Sequence, residues 1–106
     1  MIIEVRDSPE YNKRFRATVQ TRYAIKFIDF GYRFTPTYID DGDETKKLIY
    51  RYNHLRNPNE NVFIEKMIPS ASLLSYALLY GKYPSLKMNV EHLNEVWKTS
   101  KDFNEL

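Results

Sequence analysis

The chain has 106 residues, with 16 basic and 14 acidic side chains and a formal net charge of +2. This length predicts one domain over residues 1–106 with a modest core, and the near balance of charge indicates no particular class of partner. The absence of cysteine excludes disulfides, thiolate catalysis and Cys-type zinc sites, and no apolar run reaches the length of a membrane span.

The first third of the chain alternates between apolar and polar residues, as half-buried strands do. A short strand is predicted over residues 2–5, a second over 14–20 and a third over 23–30. The link at residues 21–22 is short enough for a hairpin. In the second strand, Phe15, Ala17 and Val19 share one face. In the third strand, Tyr23, Ile25 and Phe27 share one face. We therefore expect an antiparallel sheet of two or three strands with one apolar face.

An acidic turn at residues 40–44 favours the start of a helix, because carboxylates stabilise the positive end of the helix dipole. Asp41 is the expected cap, since Asp41 with Glu44 three residues later resembles a capping box. The helix that follows, over about 42–55, places Leu48, Tyr52 and Leu55 on one face at helical spacing. We expect this face to pack on the core. Ile49 lies beside that face. The polar residues expected to face water are Lys46, Lys47, Arg51 and Asn53.

The segment from Ser70 to Leu86 is the longest run that is nearly free of charge, and it predicts the central core helix. Ser70 or Ser72 can cap its start, and Gly81 in a left-handed conformation is expected to end it before Pro84. Its apolar positions are Leu73, Leu74, Ala77, Leu78 and Tyr80. We expect Leu74 and Leu78 to lie in the interior, with the sheet and the other helices packed around them.

The rest of the chain predicts shorter elements. Residues 62–68 favour a short helix capped by Asn59 or Asn61, and a last helix is expected to be capped by Asn89 and to end near Thr99. Residues 100–106 are expected to form a frayed tail. The predicted fold class is therefore α+β, with a small N-terminal antiparallel sheet packed on three or four short helices.

A set of residues in fixed order resembles a family of small uncharacterised proteins encoded by large DNA viruses of eukaryotes, the nucleocytoplasmic large DNA viruses. In that family a strand ending in Phe-Gly leads to a Tyr- and Asp-rich loop, a basic helix and a Ser…Leu-Leu…Lys-Pro-Ser-Leu segment. The similarity covers roughly residues 14–95. The residues that carry it are Phe30, Gly31, Tyr38, Asp40, Asp43, Tyr50, His54, Ser75, Leu78, Leu79, Tyr80, Lys82, Pro84, Ser85 and Leu86.

The resemblance implies a viral origin and a small α+β fold, and it supplies no activity. The chain departs from the family at Asn53, where the family usually has Arg, and at the Trp positions of its Leu-Leu segment. In that segment Tyr76, Ala77, Tyr80 and Gly81 replace Arg, Trp, Trp and Asn of the family, and Tyr83 is an insertion. The implied location is the virion, with the host cytoplasm or nucleus during assembly.

No catalytic or metal-binding motif stands out. His54 and His92 lie on different predicted helices, and no serine lies in a Gly-x-Ser-x-Gly turn. His54 is better explained as a helix C-terminal residue than as a base. The acidic turn lacks the spacing of a calcium loop, because Gly42 is misplaced and no closing Glu follows. We therefore expect no enzyme activity, no metal and no cofactor.

Two interaction surfaces remain. The first is aromatic, because aromatic side chains anchor protein interfaces, and it predicts a minor capsid or virion component that contacts other virion proteins, major or minor capsid proteins among them. Its candidate contact residues are Tyr32, Phe34, Tyr38, Tyr80 and Tyr83. The alternative is a nucleic-acid-binding protein that uses a basic hairpin face. Its candidate phosphate contacts are Arg14, Arg16, Arg22, Lys26 and Arg33. Of these, Arg14, Arg16 and Lys26 are expected to share the polar face of the hairpin.

Overall fold

A computed structural model describes residues 1–99 and 102–106 of the chain. Its sheet has three antiparallel strands in the order β1-β2-β3, which are β1 (Ile2–Asp7), β2 (Lys13–Gln20) and β3 (Ile25–Tyr32). The helices are α1 (Tyr38–Asp41), α2 (Glu44–Arg56), α3 (Asn61–Glu65), α4 (Ala71–Leu74) and α5 (Leu86–Thr99). A π-helical turn (Ser75–Leu79) follows α4, and a 3₁₀ turn (Phe103–Glu105) follows α5. The predicted α+β class is confirmed.

The register of β2 and β3 decides which side chains face the helices. Ala17 lies opposite Ile28, and Val19 lies opposite Lys26. Ala17 and Val19 are fully buried, as predicted. Directly opposed residues share a face of the sheet. Lys26 therefore lies on the same face as Val19, and the prediction that it shares a polar face with Arg16 is wrong.

The central segment lies inside the protein, as its leucines predict. Leu74 and Leu78 are both 0% exposed. The Ser70 hydroxyl accepts the Leu73 N–H at 3.1 Å, which confirms the predicted cap. The helix widens at its end, where the Tyr80 N–H donates to the Ser75 carbonyl at 3.3 Å in an i to i+5 bond. The expected uniform helix is therefore an α-turn followed by a π-turn.

Gly81 is required at the end of this segment for a steric reason. Its φ is not in the left-handed region, so the predicted left-handed cap is wrong. A Cβ at this position would lie 2.0 Å from the Ala77 carbonyl oxygen, which no side chain can tolerate without a backbone shift.

The last helix begins earlier than predicted. α5 starts at Leu86, and the Ser85 hydroxyl accepts the Met88 N–H at 3.2 Å, which is the bond of an N-cap. Asn89, the predicted cap, lies inside the helix and is 1% exposed. Its amide bonds to the backbone of the preceding loop instead, so the prediction confused a buried asparagine with a capping one.

The remaining elements complete the helical layer. The predicted short helix is present as α3, although no side chain caps its start, so the expected role of Asn59 or Asn61 is wrong. Of the predicted tail, Ser100 and Lys101 lie outside the described residues. Leu106 is 5% exposed and belongs to the core, so for residues 103–106 the prediction of fraying is wrong. No helix among the described residues has the length and apolarity that a membrane crossing requires.

Candidate protein-contact site

Helix α2 is rotated so that its polar and aromatic side chains face the protein. Arg51 and His54 are half-buried. The apolar residues Leu48, Ile49 and Tyr52 are 64%, 57% and 61% exposed. We call these three residues the α2 stripe. The predictions that Leu48 and Tyr52 pack on the core and that Arg51 faces water are therefore wrong.

Arg51 anchors the inner side of α2. Its Nε donates to the Tyr80 carbonyl at 2.8 Å, and its Nη2 donates to the Leu106 carbonyl at 2.7 Å. The guanidinium lies 4.5 Å from the centre of the Tyr76 ring, a cation–π distance. Burial lowers the pKa of Arg51 because the charged form loses water. These contacts fix the rotation of the helix, since any other rotation would leave the two carbonyls unpaired.

Three rings stack beside this anchor. The Tyr50 ring lies 3.6 Å from the Tyr80 ring at an angle of 9°, and 3.9 Å from the His54 ring at 25°. Burial raises the pKa of Tyr50 because the phenolate form would lose its hydration. Through this stack, α2 packs on the core with aromatic rings, where an amphipathic helix usually packs with leucines.

The α2 stripe borders a groove of about 460 Å³. Ile49 forms one of its walls, and the rings of Tyr50 and Tyr80 lie along it. At the other end of the stripe the Arg56 guanidinium lies 5.0 Å from the centre of the Tyr52 ring. The site is therefore an apolar ridge beside a groove, with a cation at one end, and this shape suits the docking of a protein side chain.

A second exposed aromatic group lies at the far end of the sheet. Tyr32 and Phe34 are each 53% exposed, and their rings meet edge to face at 5.5 Å. The Tyr11 ring, 79% exposed, lies 5.4 Å from the Phe34 ring. We call these three residues the aromatic tip. The structure thus brings two of the predicted contact residues together on the surface, and it adds Tyr11.

The other predicted contact residues are placed differently. Tyr38 is 4% exposed, and its hydroxyl donates to Glu44 Oε1 at 2.6 Å. Tyr80 is 7% exposed and carries the ring stack, and Tyr83 is half-buried. Tyr38 is therefore a core residue and not the surface contact that was predicted. Tyr80 is almost fully buried, so only the small part of it along the groove beside the α2 stripe is left for a partner.

The candidate phosphate contacts are mostly engaged within the chain. The Arg14 guanidinium forms a two-pronged bond with the Asp40 carboxylate, and Arg16 forms one with Asp29 at 2.9 Å for both bonds. Arg33 donates to two backbone carbonyls, those of Lys13 and Ser8.

Two members of the set remain. Arg22 lies 5.5 Å from the centre of the Tyr23 ring, and Lys26 is exposed. Neither forms an ion pair within residues 1–99 and 102–106. The predicted basic face thus offers fewer free cations than its sequence suggests.

A cavity of about 400 Å³ lies on the other side of the ring stack, with His54, Glu60 and Ser72 in its wall. His54 Nδ1 is 2.8 Å from Glu60 Oε2, without the alignment of a hydrogen bond. The Ser72 hydroxyl donates to Glu60 at 3.3 Å, and no hydrogen bond joins it to the His54 imidazole. This arrangement lacks the bond between nucleophile and base that acyl transfer requires.

The acidic turn caps helices. The Asp43 carboxylate accepts the Lys46 N–H at 3.1 Å and is the N-cap of α2, while Asp41 pairs with the Lys46 ammonium. The expected capping by Asp41 is therefore carried by Asp43, two residues later. Across the described ranges, no three His, Cys, Asp or Glu side chains converge as a metal site would require.

The Arg14–Asp40 pair predicts a loss of stability in acid. The Arg14 guanidinium holds the pKa of Asp40 at about 2, below its ordinary value of 3.8. A lowered pKa stabilises the fold above pH 4, and that contribution is lost as the pH falls towards 2. We expect Asp40→Asn to lower the free energy of unfolding at pH 7 by about 1 kcal/mol, since the pair is partly exposed. The measurement is urea unfolding of both proteins at several pH values.

The difference between the two proteins should shrink between pH 4 and pH 2. Asp7→Asn is the matched control, because Asp7 is exposed and forms no ion pair with another described residue. A difference for Asp40→Asn that stays constant across this pH range would contradict the pairing.

Comparisons with known proteins give one result. The model of a family of unknown function, DUF5754, matches residues 3–54. This region covers nearly all of the sheet, α1 and most of α2 up to His54, so it includes the α2 stripe and the aromatic tip. No curated protein and no solved structure matched the chain. The chain is therefore similar to this family over its N-terminal part, and the similarity assigns no activity.

Proposed function

We propose that the protein is a non-enzymatic structural component of a large DNA virus particle, and that it binds other virion proteins through the α2 stripe. The observation that carries this proposal is the rotation of α2, which points Leu48, Ile49 and Tyr52 outward. The resemblance of residues 14–95 to proteins of such viruses supports the viral part of the proposal. The protein would act by contact, as a small piece between larger subunits.

The energetics of α2 support a binding role. A surface helix normally buries its apolar face, and each large apolar side chain gains about 1.5–3 kcal/mol on full burial. For Leu48, Ile49 and Tyr52 most of this gain is not realised within the chain. The inner bonds of Arg51 prevent a rotation that would bury Leu48 and Tyr52. A partner that covers the stripe would recover the lost burial, which is a direct driving force for association.

The aromatic tip offers a second contact of the same kind. Exposed Tyr and Phe rings are enriched at interfaces because each supplies a large contact area with few rotatable bonds. Tyr11, Tyr32 and Phe34 already hold one another in place through ring contacts of 5.4 and 5.5 Å. These three side chains would therefore lose little conformational entropy when a partner binds them.

The nucleic-acid alternative has weaker support. Phosphate binding requires free cations, and Arg14, Arg16 and Arg33 are each bonded within the chain. We expect no binding of duplex DNA at low salt. A salt titration decides the matter, because phosphate contacts would give an affinity that falls steeply as salt rises.

Two experiments test the proposal together. Mass spectrometry of purified virions should find the chain in particles. A photo-crosslinking residue in place of Tyr52, introduced in the virus-encoded copy, should then join the chain to another virion protein. The matched control carries the same residue at Glu91, an exposed position of α5 outside the stripe.

We expect one dominant crosslinked product from position 52 and none of that product from position 91. The chain's presence in infected cells but never in particles would contradict the virion assignment. The same products from both positions would contradict the role of the α2 stripe.

A further inference from the structure

The two edges of the sheet are treated differently by the fold. At the β1 edge the side chain of Asn94 takes the place of a neighbouring strand. Its Oδ1 accepts the Ile2 N–H at 2.7 Å, and its Nδ2 donates to the Ile2 carbonyl at 3.0 Å. At the β3 edge, no backbone group of residues 25–30 bonds to a described residue outside the sheet. β3 is therefore an open edge.

The turn between β2 and β3 shows which groups of β3 point outward. The Thr21 N–H donates to the Ala24 carbonyl at 2.8 Å, so these two residues form a hydrogen-bonded pair. Such pairs alternate along an antiparallel ladder with pairs that do not bond across it. The N–H and C=O groups of residues 25, 27 and 29 therefore point away from β2. They form the row that an added strand would use.

The side chains along this edge are apolar and exposed. Ile25 is 57% exposed and Phe27 is 63% exposed, and both lie on the sheet face that the helices leave uncovered. A strand edge with unpaired backbone groups and exposed apolar side chains is a template for pairing with another chain. Lys26 lies between them in the sequence, with its side chain on the opposite face of the sheet. It is the one charged side chain of residues 25–28.

We propose that residues 25–29 of β3 accept an extended strand from a partner protein, with apolar residues at alternate positions and acidic residues between them. The positive charge of this edge is the reason for expecting acidic residues in the partner strand. Arg22 and Lys26 form no ion pair with a described residue, and the nearby carboxylate of Asp29 is bound to Arg16. An acidic strand would therefore meet two free cations.

Charge also disfavours a second copy of the chain as the occupant. Antiparallel self-pairing that sets Ile25 against Phe27 of the other copy places the two Lys26 side chains directly opposite each other. Self-pairing centred on Ile25 leaves them diagonal and still close. Like charges opposite one another destabilise a strand pair, and no free carboxylate of this edge offsets them. This inference is independent of the proposed role of α2, because it concerns a different surface.

The test uses a capped synthetic peptide of about eight residues that alternates valine and glutamate, with a valine–lysine peptide as its control. The protein is observed by NMR, and its amide signals are followed during titration. We expect the valine–glutamate peptide to shift the amides of residues 25, 27 and 29 and to slow their exchange with solvent. The valine–lysine peptide should leave these amides unchanged.

Three variants sharpen the test. Phe27→Pro removes an outward N–H that the fold does not use, so we expect binding to weaken by about tenfold or more. Phe27→Thr, the matched control, keeps that N–H. Lys26→Glu keeps the backbone intact and should reverse the preference between the peptides, so the test stands even if the proline variant does not fold.

Three results would overturn the proposal. The first is an absence of shifts with the valine–glutamate peptide at millimolar concentration. The second is equal binding of both peptides by the unaltered protein. The third is a shift of the same amides with protein concentration alone, which would identify a second copy as the occupant.

Discussion

Replacement of Asn89 by leucine is expected to lower the free energy of unfolding by about 3 kcal/mol, because one buried and two partly buried backbone hydrogen bonds are lost. The Asn89 amide donates to the Leu78 carbonyl at 2.9 Å and to the Tyr83 carbonyl at 2.7 Å. Its oxygen accepts the Tyr83 N–H at 2.9 Å. Leucine has a similar size but no polar atoms, so packing is preserved while the bonds are lost.

The role of Asn89 follows from the irregular end of the central helix. The π-helical turn and the close approach at Gly81 prevent the Leu78 carbonyl from entering a regular helical ladder. The buried side chain of Asn89 forms hydrogen bonds with the backbone groups that have no partner in a regular helix here. The measurement is urea unfolding followed by the fluorescence of Trp97. Asn53→Leu is the control, since Asn53 is exposed, and a loss below about 1 kcal/mol at Asn89 would contradict this role.

Replacement of Arg51 by methionine is expected to lower the free energy of unfolding by about 2–3 kcal/mol. The change removes the two bonds to the Tyr80 and Leu106 carbonyls and the contact with the Tyr76 ring. Part of the loss is offset, because a buried guanidinium is itself costly to desolvate. Methionine keeps the length and most of the packing of the arginine stem, so the measured difference reports the polar contacts.

Arg56→Met is the matched control on the same helix. Arg56 is exposed, and it contacts only the ring of Tyr52 among the aromatic groups described. We expect its replacement to change the free energy of unfolding by less than about 0.5 kcal/mol. Thermal unfolding followed by circular dichroism compares the two variants. Equal losses for Arg51→Met and Arg56→Met would show that Arg51 is not an anchor.

The strands and the central helix were predictable from the sequence because their environment imposes a simple pattern. β2 has one face on the core, so its apolar residues alternate, and Ala17 and Val19 are buried where the pattern placed them. The central segment is surrounded on several sides, so it carries almost no charge. In both cases burial selects residue types at a fixed period, and the period can be read directly.

The rotation of α2 was not predictable in the same way. A period of 3.6 residues identifies an apolar face, but it does not say whether the chain itself or another molecule covers that face. On the inner side, Tyr50 and His54 bury aromatic surface while Arg51 fills the place of an apolar residue. The sequence of α2 holds one signal of this arrangement: its apolar and polar residues are only weakly separated between opposite faces of the helix. The sequence also did not predict that β3 is an open edge, because the order of strands in a sheet depends on contacts between residues that are distant in sequence.

Thiol labelling tests the rotation of α2 most directly, because the chain has no cysteine of its own. Single variants Leu48→Cys and Tyr50→Cys are compared for their rate of reaction with a thiol reagent in the native protein and in denaturant. We expect Leu48→Cys to react in the isolated protein almost as fast as in denaturant, and Tyr50→Cys to be slowed by at least about tenfold. A protected thiol at position 48 together with a freely reacting thiol at position 50 would contradict the outward α2 stripe and the binding role built on it.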